Sequence, residues 1–96
     1  MSRNDNTAAA ALIDAELAVL EGLPERARDR YLTAIQAFVD GDMHLVATSA
    51  RWRLGELLGG DEGRAMRDQA KAVLEAEGIR DPARTVSLFV PVPGTL

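Results

Sequence analysis

The residues best suited to chemistry in this sequence are one histidine, a number of carboxylates and an Arg-Trp-Arg triplet. His44 lies close to Asp40 and Asp42, but a metal site needs further ligands at a set geometry, and the sequence groups none there. A surface histidine at the start of a helix is the simpler interpretation. Carboxylate pairs such as Asp14 with Glu21 have no spacing that separates catalysis from a solvated helix face. The sequence therefore predicts no catalytic residue, no metal ligand and no cofactor.

The triplet Arg51, Trp52 and Arg53 could bind a nucleic acid, because tryptophan stacks on bases while arginine contacts phosphates. The two arginines, however, point to different sides of one predicted helix, and the formal net charge of the chain is −4. A nucleic-acid-binding protein normally presents a basic surface. We therefore interpret Trp52 as a partly buried packing residue or an anchor for a protein partner, a role in which tryptophan is common.

The stretch from Gly59 to Gly63 reads Gly-Gly-Asp-Glu-Gly and resembles the signature of diguanylate cyclases. That signature occupies a hairpin between two strands of a much larger α/β domain, whereas here it lies between two predicted helices. A simpler interpretation explains each residue, since the two glycines end one helix, Asp61 caps the next and Glu62 lies at the positive end of its dipole. The stretch is therefore predicted to be a helix junction.

Length and composition exclude several classes of protein. The chain has 96 residues, of which 47% are hydrophobic and 27% charged, and it has no cysteine. That length corresponds to one domain, and without cysteine the chain has no disulfide, no thiol nucleophile and no cysteine-ligated zinc. No apolar run reaches the roughly 18–20 residues of a membrane span, and residues 1–6 lack the apolar core of a signal peptide. We expect a cytoplasmic protein that binds neither membranes nor nucleic acids.

Apolar residues at helical spacing, with glycine, aspartate and proline at the boundaries, predict four helices and a short fifth one. The predicted helices cover about residues 7–21, 24–39, 43–58, 62–77 and 82–89. Expected N-caps are Asn6 or Thr7, Asp42, Asp61 and Asp81. Short connections indicate antiparallel neighbours. The expected fold is all-α, with two stacked antiparallel helical hairpins, a short C-terminal helix and an extended tail that contains two prolines.

One face of each of the first four helices is expected to form the core. The first helix would bury Ala9, Ile13, Leu17 and Leu20, with Leu12 and Ala15 widening the same face; the second would bury Ala27, Tyr31, Ala34, Ile35 and Phe38. On the third helix this face carries Met43, Val46, Ala50, Leu54 and Leu57, and on the fourth it carries Met66, Ala70, Val73 and Leu74. We expect residues 1–6 to be flexible, residues 7–89 to form a single helical domain and residues 90–96 to form the extended tail.

The C-terminal tail contains apolar residues that the predicted hairpins do not obviously need. Four of them lie beside the prolines at positions 91 and 93: Leu88, Phe89, Val90 and Val92. Such a segment can fold back over the exposed apolar edge of the last hairpin, or it can dock on a partner or a neighbouring subunit. The sequence does not decide between folding back and docking on a partner. Together with Trp52, these four residues are the candidate partner-binding residues.

Small residues at regular spacing relate the chain to a known repeat. The first predicted hairpin has a turn glycine, a small residue, an aromatic and a second small residue at the spacing of a tetratricopeptide repeat: Gly22, Ala27, Tyr31 and Ala34. In the second hairpin the small positions are Gly60, Ala65 and Ala72, and Gln69 replaces the aromatic. The chain therefore resembles a pair of tetratricopeptide repeats.

The second half of the chain resembles the C-terminal end of large myxobacterial serine/threonine protein kinases that contain tetratricopeptide-like regions. The resemblance rests on residues 53–65 and 77–84, while residues 86–93 differ from the Met-rich ending expected of that family. The chain carries no glycine loop, catalytic lysine or catalytic aspartate of a kinase. The resemblance therefore implies a bacterial interaction or regulatory module and no kinase activity.

From these observations we expect a non-catalytic protein–protein interaction module, an adaptor or assembly unit of tetratricopeptide-like type. Its partner would be another protein or a second copy of the chain, bound in a groove between the first and third helices. One alternative is a small all-helical enzyme of chorismate-mutase type, which would need Arg26, Arg30 or Arg51 buried around a cavity. Another is a helix-turn-helix DNA-binding protein, which would need a basic recognition helix.

Overall fold

The computed structural model describes residues 3–93, and these residues form five α-helices joined by short connections. In chain order the helices are α1 (Arg3–Leu20), α2 (Pro24–Asp40), α3 (His44–Leu58), α4 (Gly60–Ala76) and α5 (Pro82–Phe89). α1 packs against α2 and α3 packs against α4, α2 joins the two pairs by packing on α3, and α5 lies mainly on α3. The prediction of an all-α fold with two stacked hairpins and a short C-terminal helix is confirmed.

The first hairpin closes through small side chains and one aromatic ring. α2 buries the predicted face, with Tyr31 between the fully buried Ala27 and Ala34. α1 contributes four buried alanines at spacings of three and four residues: Ala8, Ala11, Ala15 and Ala18. Small side chains let the two helix axes approach closely, and the ring fills the space beside them.

The predicted core face of α1 is wrong at four positions. Ala9 is exposed, and so are Ile13, Leu17 and Leu20, each of which has at least half of its surface in solvent. Both the alanines and the larger residues recur at helical spacing, so periodicity alone does not choose between them. Close approach to α2 selects the alanines, because the larger side chains would hold the helices apart. The larger residues therefore form an apolar line on the outside of α1.

The second hairpin closes through direct contact between two backbones. A Cβ atom on Gly55 would lie 2.7 Å from the carbonyl oxygen of Gly63, and a Cβ atom on Gly63 would collide with the carbonyl oxygen of Gly55. The predicted small positions Ala65 and Ala72 are exposed instead. Gly55 and Gly63 are thus the residues that let α3 and α4 cross.

The connection between the two hairpins differs from the predicted one at Asp42. The Met43 N–H donates to the Phe38 carbonyl at 2.8 Å and the Asp42 N–H donates to the Val39 carbonyl at 3.0 Å, which is a Schellman ending of α2. Asp42 has a φ of 65°, in the left-handed region. Asp42 therefore closes α2 and does not cap α3.

Two other predicted helix starts are also wrong, and one is confirmed. α1 begins at Arg3, so neither Asn6 nor Thr7 is its N-cap, and residues 3–6 belong to its first turn; the rest of the segment expected to be flexible lies outside the described residues. α4 begins at Gly60, which puts Asp61 inside the helix. Asp81 caps α5 as predicted, because its carboxylate accepts a hydrogen bond from the Arg84 N–H at 3.2 Å.

Candidate peptide-binding groove

An apolar line on α1 forms one wall of a groove. Ile13, Leu17 and Leu20 are spaced by four and three residues, so their side chains lie in one row along the helix. They line a cavity of about 270 Å³ together with Glu16 and three residues that follow α5. The other wall belongs to α3, because a second cavity shares two of those three residues and is lined by Arg53, Glu56 and Leu57 of α3, with Val19 and Tyr31 beside them. We call this feature the α1–α3 groove.

The segment that follows α5 runs across the α1–α3 groove. We call residues 90–93 the tail segment; Val92 and Pro93 contribute to the cavities on both sides of it, and Pro91 contributes to the cavity on the α1 side. Val90 is fully buried and belongs to the core cluster of the helices. Of the two alternatives that the sequence left open, folding back is therefore the arrangement in this structure, and the tail segment covers α1 as well as α3.

Arg53 fixes the start of the tail segment. Its side chain is only 5% exposed, and its Nε–H donates to the carbonyl oxygen of Val90 at 2.8 Å. Its Nη1 donates to Oε1 of Glu56 at 2.8 Å, and its Nη2 donates to Oγ of Ser87 at 3.1 Å. All three guanidinium nitrogens therefore donate a hydrogen bond, and the bond to Val90 joins the end of α5 to α3.

Two further ionisable side chains lie next to Arg53. Burial raises the pKa of Glu16 above its ordinary value, and the nearby positive charge of Arg53 partly offsets that rise. Burial, reinforced by the negative charge of Glu16, raises the pKa of Tyr31 to about 12, so the phenol is neutral at physiological pH. With Glu56, the polar part of the groove holds two carboxylates and one guanidinium.

The five candidate residues from the sequence are not brought together. Val92 lies in the groove, whereas Val90 is in the core and presents no surface to a partner. Leu88 and Phe89 are exposed on α5, Leu88 with 75% of its surface in solvent. Trp52 is half-buried, and its indole N–H donates to Oε2 of Glu56 at 3.3 Å, which places it beside the groove and not in it.

Sequence reasoning missed the residues that build the groove. The Arg-Trp-Arg triplet draws attention away from the position of Arg53, which lies three residues after Ala50 and four before Leu57, on the predicted inward face of α3. That spacing is the signal that an arginine is buried and needs partners. Leu17 was assigned to the core, and no signal in the sequence separates it from the alanines that are buried instead.

Each alternative function would need particular residues in particular places. Arg26 and Arg51 are exposed and Arg30 is half-buried, so these three arginines do not form the buried cluster that a mutase-type site requires. His44 is exposed and contacts Asp42 at 3.2 Å. Over residues 3–93 no three potential metal ligands are grouped, and no helix is long and apolar enough to cross a membrane. Comparison with protein-family models, curated proteins and solved structures finds no match for the chain.

Proposed function

We propose that the chain is a non-catalytic protein–protein interaction module of tetratricopeptide-like type, and that its α1–α3 groove binds an extended segment of a partner protein. The observation that carries the proposal is the tail segment, whose residues Val92 and Pro93 share one cavity with apolar residues of α1 and a second cavity with residues of α3. A groove that holds one extended segment has the shape and chemistry to hold another.

The dimensions of the groove support this proposal. From Ile13 to Leu20 the α1 wall extends seven residues, or about 10 Å at the helical rise. About three residues of extended chain span the same distance. The wall therefore matches a short linear segment better than it matches a flat protein surface or a small polar metabolite.

The proposal includes the setting in which the module works. We place it in the bacterial cytoplasm as an adaptor or assembly unit, and a chain without cysteine needs no oxidising compartment to form disulfides. The partner is another protein or a second copy of the chain. Exposed apolar residues that line one face are typical of such interaction surfaces.

Site-specific photo-crosslinking in cells tests the proposal. One variant carries a photo-reactive amino acid in place of Leu17, in the groove, and the control carries it in place of Leu32, which lines a different surface on α2. The two positions are matched, since Leu17 is 50% and Leu32 is 48% exposed. Mass spectrometry then identifies the crosslinked segment.

We expect the probe at position 17 to join one short linear segment of a defined protein, and the probe at position 32 to miss that segment. Equal crosslinking of the same partners from both positions would refute the groove as the site of interaction. Crosslinking to a folded surface from position 17 would refute the extended mode of binding.

A further inference from the structure

We propose that the tail segment is an internal competitor for the partner, and that the partner's segment is extended, apolar and proline-containing, with no acidic side chain at the position that Val92 occupies. This inference rests on the proposed function of the groove. It adds the chemistry of the ligand and the way in which access to the groove is controlled.

The tail segment has a fixed start and an exposed end. Val90 is fully buried and its carbonyl oxygen is bound by Arg53, so this residue is part of the fold. Pro91 is exposed and Val92 has 45% of its surface in solvent, although both line the groove. Pro91 and Val92 bury less of their surface than Val90 does, so displacing them from the groove exposes less apolar surface than displacing Val90 would.

The chemistry of the occupied groove defines the ligand. Each proline fixes φ near −65° and keeps the preceding residue extended, so a Pro-Val-Pro segment reaches the groove already in its bound shape and loses little entropy there. Val92 and Pro93 lie over a cavity that also includes Tyr31 and Leu57. The cavities beside these residues are lined largely by apolar side chains of α1 and α3, which favours an apolar ligand.

Charge in the groove excludes acidic ligands. Glu16 lines one cavity beside the tail segment and Glu56 lines the other, whereas Arg53 already donates to three acceptors. A carboxylate in place of the Val92 side chain would lie beside two carboxylates and one guanidinium, and that guanidinium is already paired with Glu56, so the local charge is net negative. Such a change would therefore drive the tail segment out of the groove.

A titration with a short peptide tests the inference on the full chain. The probe is acetyl-PVPVP-amide, which repeats the sequence of residues 91–93, and binding is followed by backbone amide chemical shifts. The tail segment is tethered beside the groove and competes with the probe at an effective concentration of about 1 mM. We therefore expect the natural chain to bind the probe with a dissociation constant in the sub-millimolar to millimolar range. The Val92→Asp variant should bind the probe about tenfold more tightly than the natural chain, which corresponds to a difference of about 1.4 kcal/mol in the free energy of binding.

Two variants and one peptide serve as controls. Leu88→Asp adds the same charge on α5 outside the groove and should bind like the natural chain. A variant with Pro91→Gly and Pro93→Gly loosens the tail without adding charge and should also bind more tightly. The peptide acetyl-PDPDP-amide should not bind. In the Val92→Asp background, Leu17→Asp should abolish binding of acetyl-PVPVP-amide.

The outcomes separate this inference from the proposed function. Equal affinity of the natural chain and the Val92→Asp variant, with binding still lost in Leu17→Asp, would overturn the competitor role and leave the groove as a binding site. Absence of binding to a folded Val92→Asp variant would overturn the ligand chemistry, and photo-crosslinking at position 17 would still report on the groove. Shifts centred on Leu32 would refute both.

Discussion

Replacing Arg53 with methionine tests the contact that holds the tail segment to the helices. Methionine keeps most of the aliphatic stem of arginine but removes all three donated hydrogen bonds. Glu56 and Ser87 are partly open to solvent and can bind water instead. The Val90 carbonyl is buried and would lose its side-chain donor, which costs about 1–3 kcal/mol.

Removal of a buried charge offsets part of that loss, because the guanidinium no longer has to be desolvated in the folded protein. The net result should be a smaller loss, about 0.5–2 kcal/mol in the free energy of unfolding, from a total of roughly 5–15 kcal/mol. Urea unfolding followed by the fluorescence of Trp52 measures it. The control is Arg51→Met, since Arg51 is exposed on the same helix and should change stability by less than about 0.5 kcal/mol. Equal effects of the two substitutions would refute the reasoning.

Three further substitutions test charge, packing and backbone conformation. Burial raises the pKa of Glu16 in the folded state, so protonation favours folding and stability falls as the pH rises through that pKa. Glu16→Gln should therefore raise the melting temperature at neutral pH and change it little in acid, and a difference that grows in acid would contradict this sign. Gly63→Ala should cost about 1–3 kcal/mol in a urea titration, because its Cβ collides with the Gly55 backbone, whereas Ala65→Ser on the exposed side of α4 should be nearly neutral. Asp42→Gly should raise the free energy of unfolding by about 0.5 kcal/mol in the same assay, because glycine adopts positive φ without strain. The control His44→Ala removes only the exposed contact with Asp42 and should leave the free energy of unfolding unchanged.

Much of the fold is predictable because the sequence marks where helices end. Gly22 and Gly78 have the positive φ expected of residues that close helices, and Pro24 and Pro82 begin the next ones. Asp42 shows the limit of such signals, since aspartate is common both as an N-cap and in the left-handed region. Whether such an aspartate ends one helix or begins the next depends on tertiary packing, which short-range sequence patterns do not contain.

The general position of the candidate site could be anticipated, whereas the residues that form it could not. The resemblance to tetratricopeptide repeats implies a groove between the first and third helices, and in the structure Val92 and Pro93 share one cavity with α1 residues and a second with α3 residues. The sequence pattern assigns Leu17 to the core because α1 is apolar on more than one face, and only contact with α2 determines which face is buried. The hydrogen bond from Arg53 to Val90 joins residues 37 positions apart, a distance at which local patterns carry no information.

We propose that the α1–α3 groove holds extended chain and exchanges residues 91–93 for a segment of the partner. The natural chain has no cysteine, so thiols can be placed at will. A variant with Leu20→Cys and Val92→Cys pairs two residues that line the same cavity, and the control with Leu32→Cys and Val92→Cys pairs residues that do not share one. The measurement is the rate of intramolecular crosslinking by a short bifunctional thiol reagent, with and without acetyl-PVPVP-amide.

We expect fast crosslinking of the groove pair, slow crosslinking of the control pair, and marked slowing of the groove pair by the peptide. Equal rates for the two pairs would show that the tail segment does not lie in the groove. A fast groove pair that the peptide does not slow at millimolar concentration would show that the tail segment is a fixed part of the fold, and the account of a shared binding site would be contradicted.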